Sequence, residues 1–209
     1  MYKGSFGYLQ KKRVFSLVKS ILFLAAVLII YFTALHHFHT NKNVFSIIAA
    51  VGALPTGRSI VETVMCFRAR SASEKVRKLT EEIPGLNKCY SLYDLYLTSY
   101  ERAYSLSHAA IGNGLLVGLT EAQDTDCRLC EQHISDMAAK DGIDGFKAVI
   151  YKDFDEYADA LKELVLSMEK ADSQMGKTDG QTEETDNQRQ AGTKDTDARA
   201  AAMILSISV

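Results

Sequence analysis

The stretch SHAAIGNGLLVGLTEAQ, Ser107 to Gln123, divides at Gly112-Asn113-Gly114 into two apolar arms. Gly and Asn adopt positive φ at low cost, so this cluster between two apolar runs predicts a hairpin turn. The second arm, Leu115–Thr120, is almost continuously apolar, the pattern of a strand buried at the centre of a sheet. The first arm closes a longer strand, Arg102–Ile111. The hairpin ends on an acid, Glu121, two residues before Gln123.

Outward from the hairpin, Ser91–Ser99 (SLYDLYLTS) alternates and is rich in aromatic residues, which predicts a preceding strand carrying Asp94. Before it, Ser71 and Ser73 stand as N-caps of a helix with Val76, Leu79 and Ile83 on one stripe, stopped by Pro84-Gly85. Downstream, the pattern predicts a helix over Asp126–Asp141 and a strand over Phe146–Tyr151. A second helix follows over Asp153–Lys170, with Phe154, Tyr157, Leu161, Leu164 and Met168 on one face. Residues 71–170 are therefore expected to form an α/β domain of order α-β-β-β-α-β-α, long enough for one core.

The first third of the chain is different in kind. Residues 1–13 form a basic segment, and residues 14–67 read as a hairpin of two membrane helices. Val14–Leu35 carries one charge, Lys19, and as a helix reaches roughly 33 Å, enough for a hydrocarbon core of about 30 Å. A cleaved signal peptide would have a shorter apolar core and small residues where LHHFH stands. Val44–Phe67 is a second span interrupted by Pro55, which supplies a kink. Arg58 lies about 21 Å from its start, and Glu62, one turn on, is expected to pair with it at the inner interface. Gly52, Ala53 and Gly57 offer small surfaces for close helix packing. Lys3, Lys11, Lys12, Arg13 and Lys19 flank the first span, and Arg68, Arg70, Lys75, Arg77 and Lys78 follow the second. The loop between, His36–Asn43, has only Lys42. This distribution places both termini in the cytoplasm of a cell-membrane protein. His36, His37 and His39 lack a nearby carboxylate or cysteine, and read as an interfacial polar loop rather than a metal site.

A net charge of −2 and a pI near 6.2 give no global attraction to nucleic acid. In a reducing compartment Cys66, Cys89, Cys127 and Cys130 are expected to stay free. Cys127 and Cys130 form a CxxC with no second CxxC to complete a zinc site, so burial on one helical face is the expectation. Residues 171–197 are too polar to bury a core and read as a disordered linker. Residues 198–209 turn apolar, too short to span, and are expected to dock on the domain as a helix capped by Asp197 or as an edge strand.

The strand order, together with the Ile-Gly-x-Gly turn before an apolar strand, resembles the core of the PD-(D/E)xK nuclease superfamily, in particular the nuclease-related domain, over about Leu92–Tyr151. That resemblance implies two carboxylates converging on Mg²⁺ and a lysine to orient water. Here Ser107-His108 stands in place of the first acid. In the register shifted by two residues, Glu121-Ala122-Gln123 keeps the acid but lacks the lysine, and Asp94 is the other acid available. The expectation is therefore a membrane-anchored binding or scaffolding module, without cofactor, on an inactive nuclease-like fold. Its partners would be the bilayer and a protein or a second copy. The alternative is a membrane-tethered nuclease using Mg²⁺, Asp94 and Glu121 on nucleic acid.

Overall fold

The computed structural model describes residues 2–38, 44–99, 102–175 and 183–208. The chain divides into two compact units, one of Leu9–Ala69 and one that joins Met1–Tyr8 to Arg70–Val209.

The first unit is a helical pair, α1 (Tyr8–Phe38) and α2 (Val44–Arg68). Within α1, Tyr8–Thr33 contains an 18-residue stretch of mean hydropathy 2.4 and is the one described helix long and apolar enough to cross a membrane. Facing hydroxyls tie the helices together. Ser16 Oγ lies 2.8 Å from Thr63 Oγ1, and Ser20 Oγ lies 2.7 Å from Thr63 Oγ1 and 2.9 Å from Ser59 Oγ. Arg13 Nε donates to the Cys66 carbonyl at 2.8 Å, and its Nη2 donates to that of Ala69, which serves carbonyls at the open end of α2. Glu62 pairs with Lys19 across the helices, Nζ to Oε2 3.5 Å. The expected Arg58–Glu62 pair does not form. The hydroxyl contacts bring Lys19 alongside Glu62, while Arg58 projects from the exposed side of α2.

The second unit is built on a four-stranded sheet. Its strands are β1 (Tyr90–Thr98), β2 (Ala103–Gly112), β3 (Leu115–Leu119) and β4 (Lys147–Tyr151), in spatial order β1-β2-β3-β4. The first three run antiparallel, and β4 lies parallel to β3 after a crossover through α4 (Cys127–Lys140). Helix α3 (Glu74–Glu82) precedes the sheet and α5 (Phe154–Met175) follows it. The expected order α-β-β-β-α-β-α is thus observed, with strand ends within a residue or two of the expected ones. Asn113 (φ 52°) and Gly114 (φ 72°) make the two-residue turn between β2 and β3, as a type I′ turn requires.

The sheet separates two apolar layers. Leu92, Leu95 and Leu97 of β1 and Leu106, Ala109 and Ile111 of β2 pack on one face with Cys130, Ile134 and Ala138 of α4. Ala110, Val117 and Leu119 pack on the other with Val76 of α3 and Tyr157, Leu161 and Leu164 of α5. The spacing of the first set is irregular: three residues, then two, on β1, and the same on β2. Strict alternation would keep every second residue on one face. Each strand therefore shifts its alternation by one residue at the same level, where Asp94 stands opposite Ser107. Asp94 takes φ 55° there. The matched shift leaves the register on either side unchanged, Tyr93 opposite His108 and Leu95 opposite Leu106.

A sixth helix, α6 (Glu183–Ile207), supplies the rest of the first layer through Ala200, Ala201, Met203 and Ile204. It begins well before Ala198, and α5 continues past Lys170, so helix replaces much of the expected disordered linker. Residues 176–182 lie outside the described residues. The physical reason is propagation: docking of the apolar end fixes the costly first turns, and Glu, Gln, Arg and Lys then extend the helix cheaply. Asp197 does not cap this helix, because it sits inside it. Its two oxygens accept from the Asn113 and Gly114 amides of the hairpin turn, at 2.9 and 2.8 Å.

The two ends of the chain meet on the outer edge of β1. Tyr93 N donates to the Gly4 carbonyl at 2.7 Å, and Ser208 bridges to Leu97. Lys3 Nζ donates to the carbonyls of Leu205 (2.8 Å) and Ser208, where the last turn of α6 leaves acceptors open. Phe6 packs edge-on against Tyr93, and the Arg77 guanidinium lies over the Phe6 ring at 5.5 Å. Gly4 has φ 85°, and a Cβ there would meet Leu92 Cδ2 at 3.0 Å and Leu205 Cδ2 at 3.1 Å. The segment before α1 thus covers a strand edge that would otherwise be open to pairing.

Candidate functional site

The kink shared by β1 and β2 aims Asp94 and Ser107 at the segment Arg70–Ser73, which leads into α3. Strand irregularities of this kind re-aim side chains and recur beside functional sites. Asp94 is 2% exposed, and its Oδ1 accepts from Ala72 N at 2.7 Å. Glu121, just past the end of β3, accepts from Ser73 N at 2.9 Å and from Ser107 Oγ at 2.9 Å, both on Oε2. On β2, Ser105 Oγ accepts from Arg70 N at 3.0 Å and lies 3.1 Å from the Arg70 carbonyl. Thr120 Oγ1 closes the cluster by donating to the Ser105 carbonyl at 2.6 Å. Side chains from β1, β2 and the end of β3 thus hold one short strap of backbone.

The two acids singled out in the sequence do come together, because they serve the amides of adjacent residues. Gln123 does not join them: its side chain is exposed, and its carbonyl accepts from Lys152 Nζ at 3.1 Å. Ser107 spends its hydroxyl on Glu121. Ser73 precedes α3 as expected but makes no side-chain cap, and its hydroxyl and that of Ser71 are buried without a partner among the described residues. Ser73 contributes its amide to Glu121 instead.

This donor set fits Mg²⁺ poorly. A cation needs carboxylate oxygens with open lone pairs, and amide N–H groups present the positive end of their dipoles to Asp94 Oδ1 and Glu121 Oε2. Among the described residues no cluster of three His, Cys, Asp or Glu side chains forms.

A second polar constellation lies in the α3/α5 layer. His108 is completely buried. Its Nε2 lies 2.6 Å from Ser91 Oγ and its Nδ1 bonds the Tyr157 hydroxyl. The Tyr93 ring packs on the imidazole with centroids 4.4 Å apart, and Tyr93 Oη reaches Thr80 Oγ1 at 2.8 Å. Burial lowers the His108 pKa to about 3 and pushes that of Tyr157 well up. A neutral imidazole has one donor and one acceptor, and two hydroxyls satisfy both. Sequence reasoning placed Tyr157 on a buried face and missed its partner. The signal was the shift in alternation, which turns His108 toward α5.

The CxxC opens α4, with Asp126 Oδ1 capping Leu129 N at 3.3 Å. Cys130 is wholly buried, and burial drives its thiol far above the ordinary range, with the Cys127 thiol raised as well. Neither sits in the electropositive setting that produces a reactive thiolate.

Compared with known protein families, curated proteins and solved structures, the chain matches none.

Proposed function

We propose that this protein is a membrane-anchored cytoplasmic binding module: a two-span hairpin, α1 and α2, carrying an α/β domain that binds a protein partner without hydrolysing it. One observation carries the topology. Residues 2–8 and the domain that begins at Arg70 belong to the same compact unit. A chain that enters the bilayer through α1 must therefore return to the same side by residue 70, so its crossings are even in number. Helix α2, 25 residues long, reaches roughly 37 Å and supplies the return. The basic residues on both flanks put that shared side in the cytoplasm. A cysteine probe at Asn41 is expected to react with an impermeant maleimide added outside intact cells, and one at Lys170 to be spared. The reverse pattern, or labelling of both, would refute the hairpin.

The binding role rests on what the acids do. Asp94 and Glu121 hold the strap, and no lysine stands two residues after Glu121. Full-length protein titrated with Mg²⁺ or Mn²⁺ is expected to give no saturable heat, and to leave single- and double-stranded DNA and RNA intact. Micromolar binding and cleavage, both lost in Glu121→Gln, would establish a nuclease instead.

A further inference from the structure

We propose that a second copy of this chain packs against α2 inside the bilayer, the guanidinium of Arg58 in each copy meeting the carboxylate of Glu62 in the other. The inference rests on the two-span reading and adds a contact to it. Arg58 is exposed on α2, and no hydrogen bond or ion pair among the described residues reaches it. It precedes Phe67, the last apolar residue of the span, by two and a half turns, roughly 14 Å of a core about 30 Å thick. Charged groups at such depth are costly and are found paired. The neighbouring hydroxyls cannot serve it, because Ser16, Ser20, Ser59 and Thr63 bond one another between the helices.

The exposed face around Arg58 indicates what covers it. Glu62 lies one turn away, 38% exposed, and meets Lys19 through one oxygen only, at 3.5 Å. Val51, Leu54 and Met65 surround the pair, each at least 41% exposed. A face with one unpaired cation and one half-paired carboxylate a turn apart is complementary to itself. A two-fold axis along the membrane normal makes the contact reciprocal, Arg58 to Glu62 and Glu62 to Arg58, within an apolar surround.

The test uses full-length protein in liposomes at low protein-to-lipid ratio, with association read by energy transfer between donor- and acceptor-labelled copies. Arg58→Glu and Glu62→Arg are each expected to weaken association about threefold to tenfold, the range of single polar contacts between membrane helices. Mixing the two variants should restore it, because each mixed pair regains both opposite-charge contacts. An intramolecular role for either residue cannot produce that recovery. Arg58→Gln gives a milder variant whose domain folding and insertion are checked in parallel. A monomeric parent chain, association indifferent to charge reversal, or no recovery in the mixture would overturn the proposal. The last two would assign Arg58 to lipid headgroups or to another protein. The hairpin is judged separately: Leu54→Cys is expected to resist impermeant maleimide from both sides, and labelling there would sink the two-span reading whatever the energy transfer shows.

Discussion

A chain ending at Thr196 is expected to lose its folded α/β domain altogether. The cut removes Ala200, Ala201, Met203 and Ile204 from the layer that covers β1 and β2. Fully burying a side chain the size of Met203 or Ile204 contributes about 1.5–3 kcal/mol. It also removes Asp197, whose carboxylate satisfies the two amides of the hairpin turn, at about 1.5–3 kcal/mol for each charge-assisted bond. The total rivals the whole stability of a typical domain, about 5–15 kcal/mol. Finer variants grade the effect. Ile204→Ala is expected to cost about 2–5 kcal/mol through the cavity it leaves, and Asp197→Ala about as much by orphaning two amides. Limited proteolysis and denaturant titration of the purified chain would read these losses. A truncated chain with parental protease resistance would show that α6 is dispensable.

Acid should weaken the same domain through His108. His108 has a folded pKa of about 3, lowered by burial, against about 6.5 for a free imidazole. Between those values the unfolded chain binds a proton that the folded one refuses, so stability rises with pH across the window. The contribution is complete above about pH 6.5 and is lost as pH falls toward 3. At 1.36 kcal/mol per unit, roughly 3 kcal/mol disappears by pH 4. His108→Asn is expected to be less stable at pH 7, because Ser91 or Tyr157 loses a partner, but to show a slope shallower by one proton between pH 4 and 6. Parallel slopes for parent and variant would mean that His108 titrates normally in the folded protein.

How much of this was legible depended on the range of the interaction. The hairpin was, because Asn113 and Gly114 announce positive φ locally. The helices were, because their apolar faces recur every three or four residues. The kink was written in the spacing Leu92, Leu95, Leu97 and again in Leu106, Ala109, Ile111, yet a search for alternation averages over it. The strap was not legible at all. Ala72 finds Asp94 and Ser73 finds Glu121 only once the sheet exists, so acids that suggest a metal in the sequence receive backbone amides in the fold. The same holds for His108 and Tyr157, which meet across layers. For α6, composition misled: a helix with almost no apolar residues over its first half is carried by the packing of its last turns.

The meeting of Lys3 and Gly4 with the last turn of α6 sets an order of events during synthesis. Lys3 and Gly4 leave the ribosome long before they can find their places, because their contacts include Leu205 and Ser208. Helices α1 and α2 emerge long before the sheet is complete, and the sheet lacks a layer until α6 follows. Folding of the α/β domain must therefore wait until α6 has cleared the ribosome. Throughout that interval the nascent chain leaves the face of β1 and β2 bare, and protection of that face falls to chaperones rather than to its own fold.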